Sequence, residues 1–248
     1  MALERREIEG NAGPIGLEVA TPPSGVAAGQ LIVLCHGLPL SRGGGRLASR
    51  LLPELAERIA GETGWTAVVP SLRGVGDTPG TFSAQGWRDD LTAVLDSALP
   101  GFSGASLAGF GFGGSLSLSV AAADERIRGV VTMATPADLT GWCGPADLFA
   151  AACASAGVVG DQPLEAPDDL LRGVLELDPL GSIAQIPPRH LMIVHGAVDT
   201  VVPATAARQL LDAAGGRAEL RIIQGGGHWL RADPRMVATI LGWLDRRR

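Results

Sequence analysis

The run Ser106-Leu107-Ala108-Gly109-Phe110-Gly111-Phe112-Gly113-Gly114 limits what this chain can fold into more than any other stretch. A short apolar segment that reads as a strand enters a cluster of glycines, and the helix-like run Ser115 to Ala123 follows at once. A strand that turns this sharply into a helix needs glycine, because side chains would collide where the two backbones meet. Gly109, Gly111 and Gly114 also satisfy Gly-x-Gly-x-x-Gly. After a strand and before a helix that is a dinucleotide-binding pattern, with the pyrophosphate at the helix N-terminus. Such a site expects an acidic residue about twenty positions on, at the tip of the next strand, to hold the ribose. Asp124 and Glu125 come too early, at the helix end, and Asp138 comes late, past the strand Gly129–Met133.

With 248 residues the chain suits one α/β domain with a large core. Glycine (35) and proline (17) are abundant beside a 46% apolar fraction, which fits many tight connections rather than disorder. The formal charge of −6 argues against general attraction to nucleic acid or an anionic membrane. Arg246-Arg247-Arg248 is a local exception, read as favourable charge at the end of a final helix. Cys35, Cys143 and Cys153 are odd in number and lack metal-ligand spacing, so no metal site is expected and the thiols read as buried or incidental ones in a reducing compartment. The charged start, Met1 to Glu7, has no apolar stretch behind it, and no run is long enough to span a bilayer. The expectation is a cytoplasmic protein.

Periodicity supplies the architecture. Arg6–Gly10 and Ile15–Ala20 alternate polar and apolar as edge strands, whereas Leu31–Leu34 is apolar throughout, as a strand covered on both faces must be. A helix follows with Leu47, Leu51, Leu52, Leu55 and Ile59 on one face, then the strand Thr66–Pro70 and a helix from Trp87 to Leu99. Further strands read at 129–133, 191–194 and 219–223, and an amphipathic helix with Met236, Ile240, Leu241 and Leu244 closes the chain. Strands alternating with helices predict an α/β fold with a mostly parallel central sheet flanked by helices. Residues 136–188, rich in Ala, Asp and Pro with helical pieces near 145–157 and 168–176, interrupt the alternation and read as a small helical lid inserted in a single domain.

Three more signals sit at ends of inferred parallel strands, where such sheets place ligands. These are His36-Gly37-Leu38-Pro39, His195-Gly196-Ala197-Val198-Asp199-Thr200-Val201-Val202-Pro203, and Gly225-Gly226-Gly227-His228-Trp229. With the glycine cluster they resemble the α/β-hydrolase family, in the order elbow, acid, histidine. Arg73-Gly74-Val75-Gly76-Asp77 also resembles a turn of that family, so the likeness covers nearly the whole chain outside the 136–188 segment. Gly109 and Gly113 match the flanking glycines of the nucleophile elbow Gly-x-Ser-x-Gly, and Gly111 stands where that family carries its serine. The resemblance implies an oxyanion hole from the N–H groups of Leu38 and Phe112, with His36 and Gly37 shaping the turn. It makes His228 the catalytic histidine and Asp199 its partner, expected about 2.6–3.2 Å apart. His36 and His195 read as structural, and Cys35 as a core thiol pointing away from its neighbour His36. Under this likeness the dinucleotide match is a by-product of the missing serine, and a remote alternative.

The serine mechanism needs a hydroxyl that the histidine can deprotonate and that can carry the acyl group, and glycine offers neither. Ser115, about one helical turn along, is expected in packing or solvent, and Ser106 lies back in the strand. The expected function is thus an α/β-hydrolase relative resembling ester or amide hydrolases. It is either a ligand-binding pseudoenzyme for a small acyl-type molecule or an enzyme: a weak hydrolase in which His228 and Asp199 activate water, or one with lyase- or oxygenase-like chemistry supported by His228. The reading invokes no cofactor and leaves self-association open.

Overall fold

In each inner strand, successive side chains go to opposite faces, and both faces are buried. Val33 and Leu107 join one apolar cluster, whereas their neighbours Ile32, Leu34 and Ala108 join another. A computed structural model describes residues 2–23, 29–46, 48–50 and 52–247. Leu47, Leu51 and Arg248, used in the sequence reading, lie outside the described residues.

The strands are β1 (Ala2–Gly10), β2 (Gly13–Thr21), β3 (Leu31–Cys35), β4 (Thr66–Pro70), β5 (Ala105–Phe110), β6 (Ile127–Met133), β7 (His190–Gly196) and β8 (Glu219–Ile223). They form one sheet in the order β1-β2-β4-β3-β5-β6-β7-β8. β2 is antiparallel to both its neighbours, and from β4 to β8 every pairing is parallel. The two outermost strands at the β1 side carry the polar–apolar alternation, and the inner ones are apolar throughout, which is why the sheet type was legible beforehand.

The helices are α1 (Pro53–Thr63), α2 (Ala84–Ala98), α3 (Phe112–Ala123), α4 (Leu139–Cys143), α5 (Ala146–Ala156), α6 (Pro167–Leu175), α7 (Pro179–Ala184), α8 (Thr205–Ala213) and α9 (Pro234–Asp245). α1 and α9 cover one face of the sheet through Leu55, Ile59, Met236, Ile240 and Trp243. α2, α3 and α8 cover the other through residues such as Leu91, Leu116 and Leu210. The α3 helix is buried from Phe112 to Ala121, as a helix apolar all round must be.

Several details correct the expectations. The helix after β3 begins at Pro53, a proline at the first helical position, where its missing N–H costs nothing. α8 escaped the periodicity reading because only Ala206, Ala207 and Leu210 are its buried residues, a narrow and alanine-rich stripe. Within 136–188, α7 packs on α3 and α8, so it is the ordinary crossover helix between β6 and β7. The true interruption is α4 to α6, which pack mainly on one another and on α2.

One buried ion pair ties the turn after β4 to α2. Asp90, 1% exposed, accepts the Arg73 backbone N–H at 2.9 Å and the Arg73 guanidinium, while the Trp87 indole N–H donates to the Arg73 carbonyl at 2.9 Å. Removing one member of such a pair strands the other charge. Asp90→Ala is expected to lower the unfolding free energy by about 3–5 kcal/mol, read by urea denaturation.

Candidate active site

The chain leaves β3 for β4 on one side and later passes to β5 on the other, so the connections after β3 and β5 diverge. Open sheets of this kind leave a crevice at such a point, beyond the C-terminal strand ends. Both loops are found there: His36 to Leu38 after β3, and Gly111 with the start of α3 after β5. A cavity of about 370 Å³ opens between them, lined in part by Leu38, Gly111, Phe112, Trp142, His228 and Arg231.

Glycine is needed at 109 and 113 because backbones touch there. A Cβ at 109 would collide with the Gly113 carbonyl, and one at 113 would strike the carbonyls of His36 and Cys35. Gly111 differs. It has φ 52° and ψ −122°, strained for any other residue, yet a Cβ there meets nothing closer than His228 Nε2 at 3.8 Å. The position is sterically open and aimed at the histidine. Its N–H donates to the Met133 carbonyl at 2.8 Å, and its own carbonyl accepts from Gly114 N–H at 2.9 Å, so the turn is fixed on both sides. Among the described residues neither the Leu38 nor the Phe112 N–H donates a hydrogen bond to a protein acceptor.

His228 and Asp199, separated by 29 residues, come together with Nδ1 donating to Oδ2 at 2.9 Å. The carboxylate is fully buried. Its Oδ1 accepts the N–H groups of Val201 and Val202, both at 2.9 Å, so the loop after β7 curls around the charge. With Nδ1 committed as donor, Nε2 is the free nitrogen, and it is the one facing Gly111. His195 lies beneath this loop. Its Nε2 donates to the Val202 carbonyl at 3.0 Å and stands 3.4 Å from Asp199 Oδ2. Burial pushes its pKa down.

His36 does not reach the cavity. Leu72 N–H donates to its Nε2 at 3.2 Å, so the ring proton resides on Nδ1 and bonds the Gly37 carbonyl at 3.0 Å. Protonating Nε2 would set donor against donor. Burial accordingly holds the pKa of His36 down at about 4. The other candidate nucleophiles are also withdrawn. Ser115 is wholly buried in α3, Ser117 bonds the Gly113 carbonyl at 2.7 Å, and burial pushes the Cys35 thiol up to about 12. No cluster of metal-ligating side chains exists among the described residues. No helix there is long and apolar enough to cross a membrane. The dinucleotide reading loses its ribose-holding acid, since β6 runs out into Ala134 and Thr135.

Sequence reasoning missed Trp142 and Arg231. The Trp142 ring stacks on Phe112 at 5.7 Å between centroids and walls the cavity from the α4–α6 segment. Arg231 sits in a short 3₁₀ turn, Leu230–Ala232, just past the histidine loop. Neither belongs to a recognisable motif, though both lie close in sequence to elements the motifs located.

A family described as alpha/beta hydrolase fold matches residues 30–151, the part that holds the β3 turn and the elbow. The chain has the α/β-hydrolase fold. Solved structures extend the hydrolase fold over the whole length. A serine hydrolase without lid from Xanthomonas campestris is 24% identical with a TM-score of 0.66, covering 99% of this chain and 93% of that one. A serine hydrolase homologue from Coxiella burnetii is 22% identical with a TM-score of 0.67, covering 100% and 98%. The thioesterase domain from the curacin biosynthetic pathway is 16% identical with a TM-score of 0.69, covering 98% and 99%. Among curated proteins no sequence matches.

The neutral His36 makes stability pH-dependent. Its folded pKa, about 4, lies below the ordinary value of about 6.5. The unfolded state therefore binds the proton first as pH falls, so this stability is present above about pH 6.5 and lost towards pH 4. Denaturation at a series of pH values should show a loss of roughly 3 kcal/mol from this group over that window. In His36→Gln that share of the slope should vanish, leaving the part due to His195 and the carboxylates.

Proposed function

We propose that this protein binds a small acyl-type molecule in a hydrolase site whose covalent nucleophile has been lost. The observation that carries the reading is the conformation of Gly111. Its backbone holds the strained geometry an elbow serine would occupy, with its Cβ direction 3.8 Å from His228 Nε2. In this reading His228 is the base, Asp199 orients it, and the N–H groups of Leu38 and Phe112 bind a carbonyl oxygen. Trp142, from the 136–188 segment, caps the ligand. Thioesterase and serine hydrolase relatives of the same fold support an acyl compound as the ligand class.

A second reading rests on the open space beside Gly111. A water there could give a proton to His228 Nε2 as its oxygen attacks the bound carbonyl carbon. The tetrahedral intermediate then collapses, and the histidine returns the proton to the departing alcohol. Triads lacking one member keep only about 10³–10⁴-fold catalysis over water. Slow turnover abolished by His228→Ala would favour this reading, and ligand binding without turnover the first.

The decisive comparison is an ester and amide screen of the native protein beside Gly111→Ser. A fluorophosphonate probe should leave the native protein unlabelled and label Gly111→Ser at the substituted position. Hydrolysis of small activated esters should rise at least about tenfold, since a serine with base and oxyanion donors normally exceeds the residual machinery by orders of magnitude. The same substitution should lower stability by about 1–3 kcal/mol, because a Cβ enters a strained backbone. A folded Gly111→Ser that binds ester yet never acylates would refute the assigned roles.

A further inference from the structure

The cavity wall is mostly apolar, and among the described residues Arg231 is its one side chain with a permanent charge. The guanidinium lies 4.6 Å from the centre of the Trp229 ring, and among the described residues no carboxylate pairs with it. The residue is half-buried, and burial alone pulls its pKa down, with no neighbouring charge acting on it. Three other partly buried arginines are committed, whereas Arg88, also partly buried, does not line the cavity. Arg73 is paired with Asp90, Arg247 with Glu219, and Arg189 donates to the carbonyls of Ala121, Asp124 and Ile127. Arg231 is thus a cation built into a ligand wall and left without an anion.

We propose that the ligand of this cavity is a small, largely apolar carboxylate whose charged end pairs with Arg231. This rests on the reading of the cavity as an acyl-ligand site. A guanidinium stays charged at any physiological pH. A neutral apolar ligand filling the cavity would strip water from it and leave the charge uncompensated, whereas a carboxylate replaces that water with a two-pronged ion pair. A single cation suits a single negative charge. A phosphate monoester, carrying nearly two, would bring a second charge with no partner in an apolar wall. Arg231 follows His228 by three residues, which bounds the distance between their Cα atoms at about 11 Å. The anionic end and a carbonyl beside His228 therefore belong to one short molecule, such as a monoester or thioester of a dicarboxylic acid.

Calorimetric titration of the native protein with octanoate, octanol and octyl phosphate tests this directly. Octanoate should bind at least about tenfold more tightly than octanol, and more tightly than octyl phosphate, with a preference that weakens as salt is raised. Arg231→Gln should bring the octanoate-to-octanol ratio to about one, and Arg231→Lys should keep part of it, since lysine retains the charge but not the fork. Equal binding of octanoate and octanol, no binding of any of the three, or a preference for octyl phosphate would each overturn the proposal. So would a carboxylate preference that survives in Arg231→Gln, because the anion would then lie on the Leu38 and Phe112 N–H groups. The salt series on the native protein needs no variant to fold. If Gly111→Ser hydrolyses uncharged esters but no Arg231-dependent preference exists, the site reading stands and the carboxylate falls. If the preference exists and Gly111→Ser stays inert, the carboxylate stands and the catalytic roles fall.

Discussion

The site exists because two backbone segments are allowed to touch. The first turn of α3 lies directly against the carbonyls that end β3, and the absence of side chains at Gly109 and Gly113 is what permits it. An alanine at either position would push the helix away from the sheet. The N–H groups of Leu38 and Phe112, which sit on the two sides of that contact, would then no longer share one cavity. Everything else about the site is arranged around this contact: the buried α3 helix fixes the direction of Gly111, and the loops after β7 and β8 deliver Asp199 and His228 from the other side.

The polar groups around the cavity divide by how their hydrogen bonds are met. Two backbone N–H groups and the His228 ring all point at the buried Asp199 carboxylate. Burial holds His36 uncharged, and the Leu72 N–H occupies the nitrogen that would have to accept a proton. The first arrangement turns His228 Nε2 toward the cavity, and the second pins the β3 turn to the segment after β4. An aromatic layer links the second arrangement to the cavity wall: His36 meets Trp87 edge-on, Trp87 meets Phe82 and Phe112, and Phe112 carries Trp142.

Much of this was legible in the sequence because it rests on short-range rules. Apolar runs marked the buried strands, glycines marked the elbow, and the Asp199 and His228 loops stood at strand ends in the expected order. The 2.9 Å contact between those two residues needed no information beyond that order and the fold. What stayed hidden depends on packing between distant segments. α8 carries too thin an apolar stripe to announce itself, and nothing in residues 136–188 distinguishes α7, a crossover helix, from α4 to α6. The importance of Arg231 lies in what surrounds it, since an arginine in a surface turn has the same local sequence as one in a cavity wall.

The placement of the tryptophans gives the protein an optical property of its own. Trp65, Trp87 and Trp243 are almost fully buried, so their surroundings are fixed by the fold. Trp229 is 66% exposed at the cavity mouth beneath the Arg231 guanidinium, and Trp142 forms part of the cavity wall against Phe112. A molecule entering the cavity changes the polarity around these two indoles and leaves the other three as they were. The emission spectrum of the unmodified chain therefore contains a constant component from the core and a variable one from the cavity, so occupancy can be followed by light without attaching a dye.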